Sequence, residues 1–216
     1  MRTTAPAGSP VRDRILDAAD RLLARYGYRK TTMDDLAAEA GIGKGTTYLH
    51  FRGKEEVALS ALDRMVARLL ERLDAIADEE TLAPKRLERM LTARVLHRFD
   101  YAQPHSKSID EVLSALRPQL LERRAHYFEE EAARIARVVR DGVKAGLLRT
   151  PDPLATGRTL ITATNALLPY SLSVEELGRR REVETRAERL IDLLLAGLRV
   201  PAGFHARRRT PPRGGS

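Results

Sequence analysis

Apolar residues recur at spacings of three and four along nearly the whole chain, which is the period of an amphipathic α-helix. Extended β-branched runs bounded by turn residues are absent from the sequence. The predicted fold class is therefore all-α. The pattern predicts successive helices over residues 10–26, 32–40, 44–50, 54–77, 84–99, 108–115, 118–144, 154–168 and 181–198, with a loop over Asp100–Lys107.

Residues that start and stop helices lie at the ends of these segments. Ser9-Pro10 and Asp152-Pro153 each place an N-cap residue before a proline at the first helical position. Thr32 and Asp35 have the spacing of a capping box. The remaining signals are stop glycines, a proline break and a second capping box, at Gly27, Gly41, Gly146, Pro169, and Ser173 with Glu176.

The composition is that of a folded protein, because 43% of the 216 residues are hydrophobic. The sequence contains no cysteine, which excludes disulfides, thiolate metal sites and a cysteine nucleophile. Met1–Pro10 lacks the apolar core of a signal peptide, and no segment approaches the roughly 20 apolar residues of a membrane span. We therefore expect a cytoplasmic protein.

The net charge of +8 is concentrated at the C-terminus. Residues 11–56 hold nine basic and eight acidic side chains and contribute only +1. Residues 199–216 contribute +5, because they contain no acid and carry Arg199, Arg207, Arg208, Arg209 and Arg213. We expect residues 1–9 to be flexible and residues 201–216 to be a disordered basic tail. Nucleic-acid binding must therefore be argued from where side chains lie rather than from basicity.

The sequence favours neither an enzyme nor a metal protein. No glycine-rich phosphate loop follows a predicted strand, and no Gly-x-Ser-x-Gly elbow is present. A metal site would need close ligand spacing, and no Glu-x-x-His pair exists. The polar residues that could suggest one are scattered over a helix, a loop and a second helix, at His97, Asp100, His105, Asp110 and His126. We predict no enzyme activity, no metal and no cofactor.

Two short helices, Thr32–Ala40 and Lys44–His50, flank the turn Gly41-Ile42-Gly43, which is the length pattern of a helix-turn-helix. Gly41 permits the positive φ that a reversal within three residues requires. The second helix offers hydrogen-bond donors and no acid, which suits a major groove lined by phosphates. Its exposed side chains are predicted to be Lys44, Thr46, Tyr48 and His50.

Residues 11–60 resemble the DNA-binding domain of the TetR family of transcription regulators, without a gap. The segments that carry the resemblance are Ile15-Leu16-Asp17-Ala18-Ala19, Tyr26-Gly27, Thr31-Thr32-Met33-Asp34-Asp35-Leu36-Ala37, Ala40-Gly41-Ile42-Gly43-Lys44-Gly45-Thr46-Thr47-Tyr48-Leu49-His50-Phe51 and Lys54-Glu55-Glu56. The resemblance implies a three-helix DNA-binding domain over 10–53. It also implies a larger helical domain over 54–200 that binds an effector and dimerises.

The resemblance also implies roles for individual residues. Thr32 would bind a phosphate at the start of its helix, and Lys54 would bind another at the start of the next long helix. The recognition helix would meet base edges through Lys44, Gly45 and Thr46 and hold the DNA backbone through Tyr48 and His50. Two positions depart from the family pattern: Gly43, where serine is frequent, and Thr47, where an aliphatic residue is usual. We expect the buried Thr47 hydroxyl to bond to the Gly43 carbonyl.

The apolar run of residues 160–170, with interspersed threonine and asparagine, has two interpretations. It is typical of a small apolar pocket with a few polar groups, and equally of a tightly packed dimer helix. A pocket would be lined by Leu96, Phe99, His126, Phe128, Asn165 and Tyr170. By resemblance, the Leu190–Leu198 stripe would form half of a four-helix dimer interface with Leu154–Leu168 of both subunits.

These observations predict a homodimeric, ligand-responsive regulator that binds double-stranded DNA. As a repressor, it would leave a palindromic operator when a small-molecule effector binds, with the helix Lys54–Ala77 acting as a lever. An activator remains open as a variant of this reading. The alternative from another class is a helical ligand-binding or enzymatic protein whose N-terminal motif no longer binds DNA.

Overall fold

The computed structural model describes residues 9–168, 176 and 178–200, and helices account for most of them. The helices are α1 (Pro10–Tyr26), α2 (Met33–Glu39), α3 (Lys44–His50), α4 (Lys54–Ala77), α5 (Ala83–Ala102), α6 (Ser106–Ala115), α7 (Arg117–Lys144), α8 (Pro153–Thr164) and α9 (Arg180–Leu198), with a 3₁₀ turn over Asn165–Leu167. The predicted all-α class is confirmed.

The predicted helix ends are most accurate in the first third of the chain, where α3 and α4 begin and end at the predicted residues. The loop predicted over Asp100–Lys107 is wrong, because α5 continues to Ala102 and α6 begins at Ser106. Phe99 and Ala102 are both buried, and continuing the helix keeps them on its inner face. The helix predicted to reach Leu168 ends instead at Thr164, and the 3₁₀ turn follows.

Several predicted caps are present. The Thr32 hydroxyl accepts the Asp35 amide at 3.2 Å, and the Asp35 carboxylate accepts the Thr32 amide at 2.9 Å, so the capping box is complete. The Asp152 carboxylate accepts two amides at the start of α8. Ser9 lies at the predicted N-cap of α1, but its side chain makes no cap hydrogen bond. Pro169, Ser173 and the two chain ends, 1–8 and 201–216, lie outside the described residues.

The buried apolar side chains form two separate cores. The first core joins α1, α2 and Phe51, which follows α3, to the start of α4, and it also takes side chains from α6 and the start of α7. Its members include Ile15, Leu22, Leu36, Phe51, Val57, Val112, Leu116 and Leu120. The second core lies between the rest of α4 and α5, α7, α8 and α9, and includes Leu73, Leu91, Ile135, Val139, Leu160 and Ile191.

The two cores do not divide at residue 53. Helix α4 runs through both of them, with Val57 in the first and Leu73 in the second. Helix α6, more than 50 residues beyond the helix-turn-helix, packs on α1, and its Val112 belongs to the first core. The helix-turn-helix is therefore supported by parts of the chain that lie far beyond it in sequence.

Helices α7 and α8 approach closely at Gly157. A Cβ atom at this position would lie 2.7 Å from the carbonyl oxygen of Ala132, a distance that real Cβ atoms do not show. Glycine therefore permits the contact that seats α8 in the second core.

Candidate DNA-binding surface

The turn between α2 and α3 has the geometry that the sequence predicts. Gly41 has φ +64°, and no atom lies within 4 Å of the position a Cβ would take there, so glycine is needed for backbone conformation alone. The Ile42 amide donates to the Ala37 carbonyl at 3.0 Å and closes the turn. This turn fixes the direction in which α3 leaves α2.

Helix α3 is held against the first core by its inner face. Thr47 is fully buried, and Phe51, at the end of the helix, is 1% exposed. The Arg12 guanidinium stacks on the Phe51 ring, 4.3 Å from its centroid. A seven-residue helix would not be stable alone, so these contacts determine its orientation.

The predicted hydrogen bond of the Thr47 hydroxyl is wrong. Its oxygen is buried without a hydrogen-bond partner. The Gly43 carbonyl, expected to accept it, instead accepts the backbone amides of Thr46 and Thr47 at 3.0 and 3.2 Å. The hydroxyl therefore occupies a site that would suit an aliphatic side chain better.

The outer face of α3 carries the residues that the sequence assigns to DNA. Lys44, Gly45 and Tyr48 are exposed, while Thr46 and His50 are half-buried. Leu49, which the sequence reasoning passed over, is 84% exposed on the same helix. The signal that could have identified it is an apolar residue outside the inward positions of a short amphipathic helix.

The tertiary structure adds an acid to this surface that the sequence of α3 does not contain. The Lys44 ammonium lies 2.7 Å from the Asp34 carboxylate on α2, and both side chains are mostly exposed. The hydrogen bond to Asp34 and its charge raise the pKa of Lys44. The ammonium stays protonated, and the negative charge of Asp34 partly offsets its positive charge until another anion, such as a phosphate, takes the place of Asp34.

Thr32 has a structural role of its own at the start of α2. Besides accepting the Asp35 amide, its hydroxyl donates to the Asp35 carboxylate at 2.7 Å. Hydrogen bonds from the Thr32 side chain and backbone lower the pKa of Asp35. The residue is exposed, so the cap lies on the surface beside α3.

The sequence assigns Lys54 to a DNA phosphate, but in this structure its ammonium is bonded to the protein backbone. Its ammonium donates to the carbonyl oxygens of Tyr28, Arg29 and Thr31 at 3.3, 3.1 and 3.3 Å. It also lies 4.8 Å from the centroid of the Tyr28 ring. A lysine has three donors, and here each has a backbone acceptor. In this structure Lys54 fastens the α1–α2 loop to the start of α4.

The helices around the first core form a first region, and those around the second core form a second region. Polar contacts tie α1 to α4 and to His105, between α5 and α6. The Arg64 guanidinium bridges Asp17 and Asp20 at 2.7 and 2.6 Å. The ring nitrogens of His105 lie 2.8 Å from the Tyr101 carbonyl oxygen and 3.1 Å from that of Asp20. The angle between the helix-turn-helix and the rest of the chain is therefore fixed by side chains, not only by α4.

The residues predicted to line an effector pocket are only partly brought together. Leu96 and Phe99 are buried in the second core, and Phe128 packs against it. His126 is exposed and does not join them. Tyr170 lies outside the described residues. A pocket lined by Leu96, Phe99 and Phe128 stays a prediction, and the exposed His126 lies apart from these three side chains.

A buried ionic cluster that the sequence did not predict lies between α5, α7 and the end of α8. Arg94 and Glu131 are fully buried, and Arg98 is 2% exposed. Arg94 donates to Glu131 at 2.6 Å, to Thr164 at 2.8 Å and to Asn165 at 2.5 Å, and Arg98 also donates to Glu131. Burial tends to raise the pKa of Glu131, but the charges of Arg98 and Arg94 outweigh it and lower the pKa.

The residues weighed for a metal site lie apart. His97 is half-buried with its Nε2 3.0 Å from the Met65 carbonyl oxygen, and burial lowers its pKa. His105 faces two carbonyls and His126 faces solvent. Within the described part of the chain, no three His, Asp or Glu side chains gather as metal ligands. No described helix is long and apolar enough to cross a membrane.

Known proteins resemble the chain in sequence over the helix-turn-helix and in fold over most of its length. Residues 15–61 match the profile of bacterial regulatory proteins of the tetR family. The uncharacterised helix-turn-helix regulator TtgW of Pseudomonas putida is 34% identical over 113 residues, which are 52% of this chain and 78% of TtgW. YerO of Bacillus subtilis, also an uncharacterised regulator, is 34% identical over 98 residues, 45% of this chain but only 33% of YerO.

The fold likeness extends through the second region. A solved transcriptional regulator from Cytophaga hutchinsonii has a TM-score of 0.73 at 18% identity, covering 87% of this chain and 98% of that protein. The helix-turn-helix, the fold of the remaining helices and the sequence matches all indicate the same family. The chain belongs to the TetR family of bacterial transcriptional regulators.

Proposed function

We propose that this regulator is a repressor that binds a palindromic operator as a homodimer and leaves it when a small-molecule effector binds. The observation that carries the proposal is the outer face of α3, which presents Lys44, Tyr48 and Leu49 to solvent. Side chains of these types reach phosphates, sugars and thymine methyl groups in a major groove.

The proposed DNA contacts follow from exposure. Lys44, Gly45 and Thr46, at the start of α3, meet base edges, since the N-terminal residues of a recognition helix do so in helix-turn-helix proteins. Tyr48 and His50 contact the sugar–phosphate backbone, and the exposed Leu49 contacts thymine methyl groups. The Thr32 hydroxyl donates to the Asp35 carboxylate in the free protein, and it turns to a phosphate when DNA binds.

Lys54 enters the proposal as a positioning residue. Its three donors already serve the loop between α1 and α2, and that loop ends at Thr32. Lys54 thereby sets where the phosphate-binding end of α2 lies, without itself needing to touch DNA.

The dimer is proposed through the outer faces of α8 and α9. The stripe predicted for this role faces its own chain in part, because Ile191 and Leu195 are buried in the second core. The next position around α9 is different: Leu193 is 75% exposed, and Gly197 has open space around it. We assign the interface to this neighbouring face, together with the exposed side of α8 at Thr159. To bind a palindrome, the dimer must hold its two α3 helices on successive turns of DNA, about 34 Å apart.

The effector acts in this proposal on the angle between the two regions. Helix α4 runs through both cores, so a change in the second region moves the first one. An effector changes operator affinity only by as much as it prefers one of the two arrangements. Release requires that it prefer the arrangement in which the α3 helices are wrongly spaced.

The test is retention of genomic DNA fragments by the pure protein at fixed salt concentration. Wild type should retain specific fragments, and Tyr48→Ala should weaken that retention about tenfold or more, since a lost base-level or backbone contact costs about 1–3 kcal/mol. Leu121→Ser, at an exposed position of α7, is the matched control and should bind as wild type. If no fragment is retained, with or without cell extract, the proposal is wrong and the alternative of a helical protein without DNA binding is favoured.

A further inference from the structure

The ion pair between Asp34 and Lys44 joins the two helices of the helix-turn-helix. The Lys44 ammonium lies 2.7 Å from one carboxylate oxygen of Asp34 and 3.0 Å from the other. The two side chains are 64% and 61% exposed. Ion pairs this exposed contribute little to the stability of a fold. Stability therefore does not account for an acid placed against the first residue of α3.

Lys44 has little support from its own helix. It lies between Gly43 and Gly45, which have no side chains to pack against its aliphatic stem, and the space that a side chain of Gly45 would fill is open. A lysine side chain on such a surface samples many rotamers. Asp34 has the largest influence on the pKa of Lys44, which it raises, and Tyr48 has the smallest. The carboxylate from α2 is therefore the group that fixes where the ammonium lies.

The other two acids of α2 have different partners. Asp35 caps its own helix, because its carboxylate accepts the Thr32 amide and hydroxyl. Glu39 pairs with Arg21 of α1 at 2.5 Å. Among the described contacts of these three acids, only that of Asp34 reaches α3. The charge of Asp34 thus acts on the recognition helix, and Glu39 offers an acid on the same helix for comparison.

Asp34 changes which groups of DNA Lys44 can bind. An ammonium has three donors, and the two oxygens of Asp34 take at most two of them, so at least one is left for DNA. A guanine edge presents the neutral acceptors O6 and N7, so Lys44 can bond to guanine and keep Asp34. A phosphate is an anion, which the Asp34 carboxylate repels and which has to compete with it for the ammonium.

We propose that Asp34 is a positioning residue for base recognition, which holds the Lys44 ammonium for a guanine edge and weakens its attraction to phosphates. The first effect raises affinity only for DNA with a guanine at that place. The second lowers affinity for every sequence alike, because phosphates line all DNA. Together the two effects raise the ratio of specific to non-specific affinity. The inference rests on the proposed function, in which α3 enters the major groove.

Asp34→Asn tests the proposal, because it removes the negative charge and keeps the size of the side chain. Affinity is measured at one salt concentration for a fragment that wild type retains and for a scrambled fragment of equal length. The variant should bind the scrambled fragment severalfold more tightly. The ratio of the two affinities should fall about fivefold or more, which is part of the discrimination that one base contact gives. Equal gains on both fragments would show a charge effect alone and overturn the positioning role.

Two further variants separate the role of Lys44 from net charge. Glu39→Gln removes an acid of the same helix whose partner lies on α1, and it should leave the affinity ratio unchanged. In a Lys44→Met background, Asp34→Asn should not lower the ratio further, because no ammonium remains to be held. If Glu39→Gln lowers the ratio as much as Asp34→Asn, or if the effect of Asp34→Asn persists without Lys44, the proposal is wrong.

The base that Lys44 reads is located by replacing each guanine of the retained fragment in turn. Wild type should lose affinity at one guanine in each half-site, and Asp34→Asn should lose less there. If wild type retains no fragment at all, the proposed function fails and this inference fails with it. If wild type retains a fragment and Asp34→Asn discriminates as wild type does at every guanine, this inference alone is overturned.

Discussion

The two cores of this regulator exclude water by different means. The first core, beneath the helix-turn-helix, buries apolar side chains with a few neutral hydroxyls such as Thr31 and Thr47. The second core buries ionised groups, Arg94, Arg98 and Glu131. A buried hydroxyl without a partner costs about 1–3 kcal/mol, whereas a buried charge that loses its partner costs more. The polar positions of the first core therefore carry smaller penalties than those of the second core, which depends on one set of paired charges.

The largest effect is expected from breaking the ionic cluster. Glu131→Gln removes the carboxylate that faces both arginines and should lower the free energy of unfolding by about 3–5 kcal/mol, the cost of an uncompensated buried charge. Glu130→Gln, at the next residue, breaks only a partly exposed pair with Arg134 and should cost no more than about 1 kcal/mol. Urea denaturation of the two variants measures the difference.

The same comparison has a pH dependence. The pKa of Glu131 is lower in the folded chain, so its stabilising contribution is present above the carboxyl pKa of the unfolded chain. That contribution is lost as the pH falls through the lower folded pKa. The stability gap between wild type and Glu131→Gln should therefore narrow on acidification. A gap that stays constant down to the acid transition would contradict an ionised Glu131.

The next effect concerns Lys54. Lys54→Met keeps the aliphatic stem but loses three carbonyl contacts, and should lower the free energy of unfolding by about 1–3 kcal/mol. Operator affinity should also fall, yet the dependence of log affinity on log salt should keep its slope. Lys44→Met should reduce that slope by about one, because it removes a cation from the major groove, which is lined by phosphates. Equal slope changes in both variants would show that Lys54 binds phosphate.

A smaller effect of opposite sign is expected at Thr47. Thr47→Val replaces a buried hydroxyl without a partner by a methyl group of the same shape, and should stabilise the fold by about 1 kcal/mol. Thr31→Val is the matched control, because the Thr31 hydroxyl donates to the Gly27 carbonyl at 2.8 Å. That variant should be destabilised. If the Tm of both variants changes in the same direction, the two hydroxyls do not differ in the way proposed.

The smallest effect is expected at the start of α3. Gly43 is the N-cap with extended backbone and no side-chain cap bond, so Gly43→Ser should stabilise α3 by a few tenths of a kcal/mol. Gly41→Ser, two residues earlier, should destabilise instead, because Gly41 has positive φ. Chemical denaturation with both variants in one background resolves the two signs.

Contacts between residues close together in the chain were predictable from the sequence, and contacts between distant residues were not. The capping box of Thr32 with Asp35 and the turn at Gly41 depend on residues three to five apart, so their spacing in the chain predicts them. The roles of Lys44 and Lys54 depend on partners 10 to 26 residues away. For Lys44 and Lys54 the sequence marked the residues as important, but it did not predict which groups they contact.

The sequence by itself determined an all-helical chain, the boundaries of its first helices, and a helix-turn-helix whose outer face is formed by α3. These features arise from helical periodicity, caps and glycine geometry, which are local properties. Only the tertiary structure decided that α6 packs under α1, that Asp34 meets Lys44, and that two arginines share Glu131 in the second core. Such contacts depend on how helices distant in sequence are packed, and helical periodicity does not specify which side chains then meet.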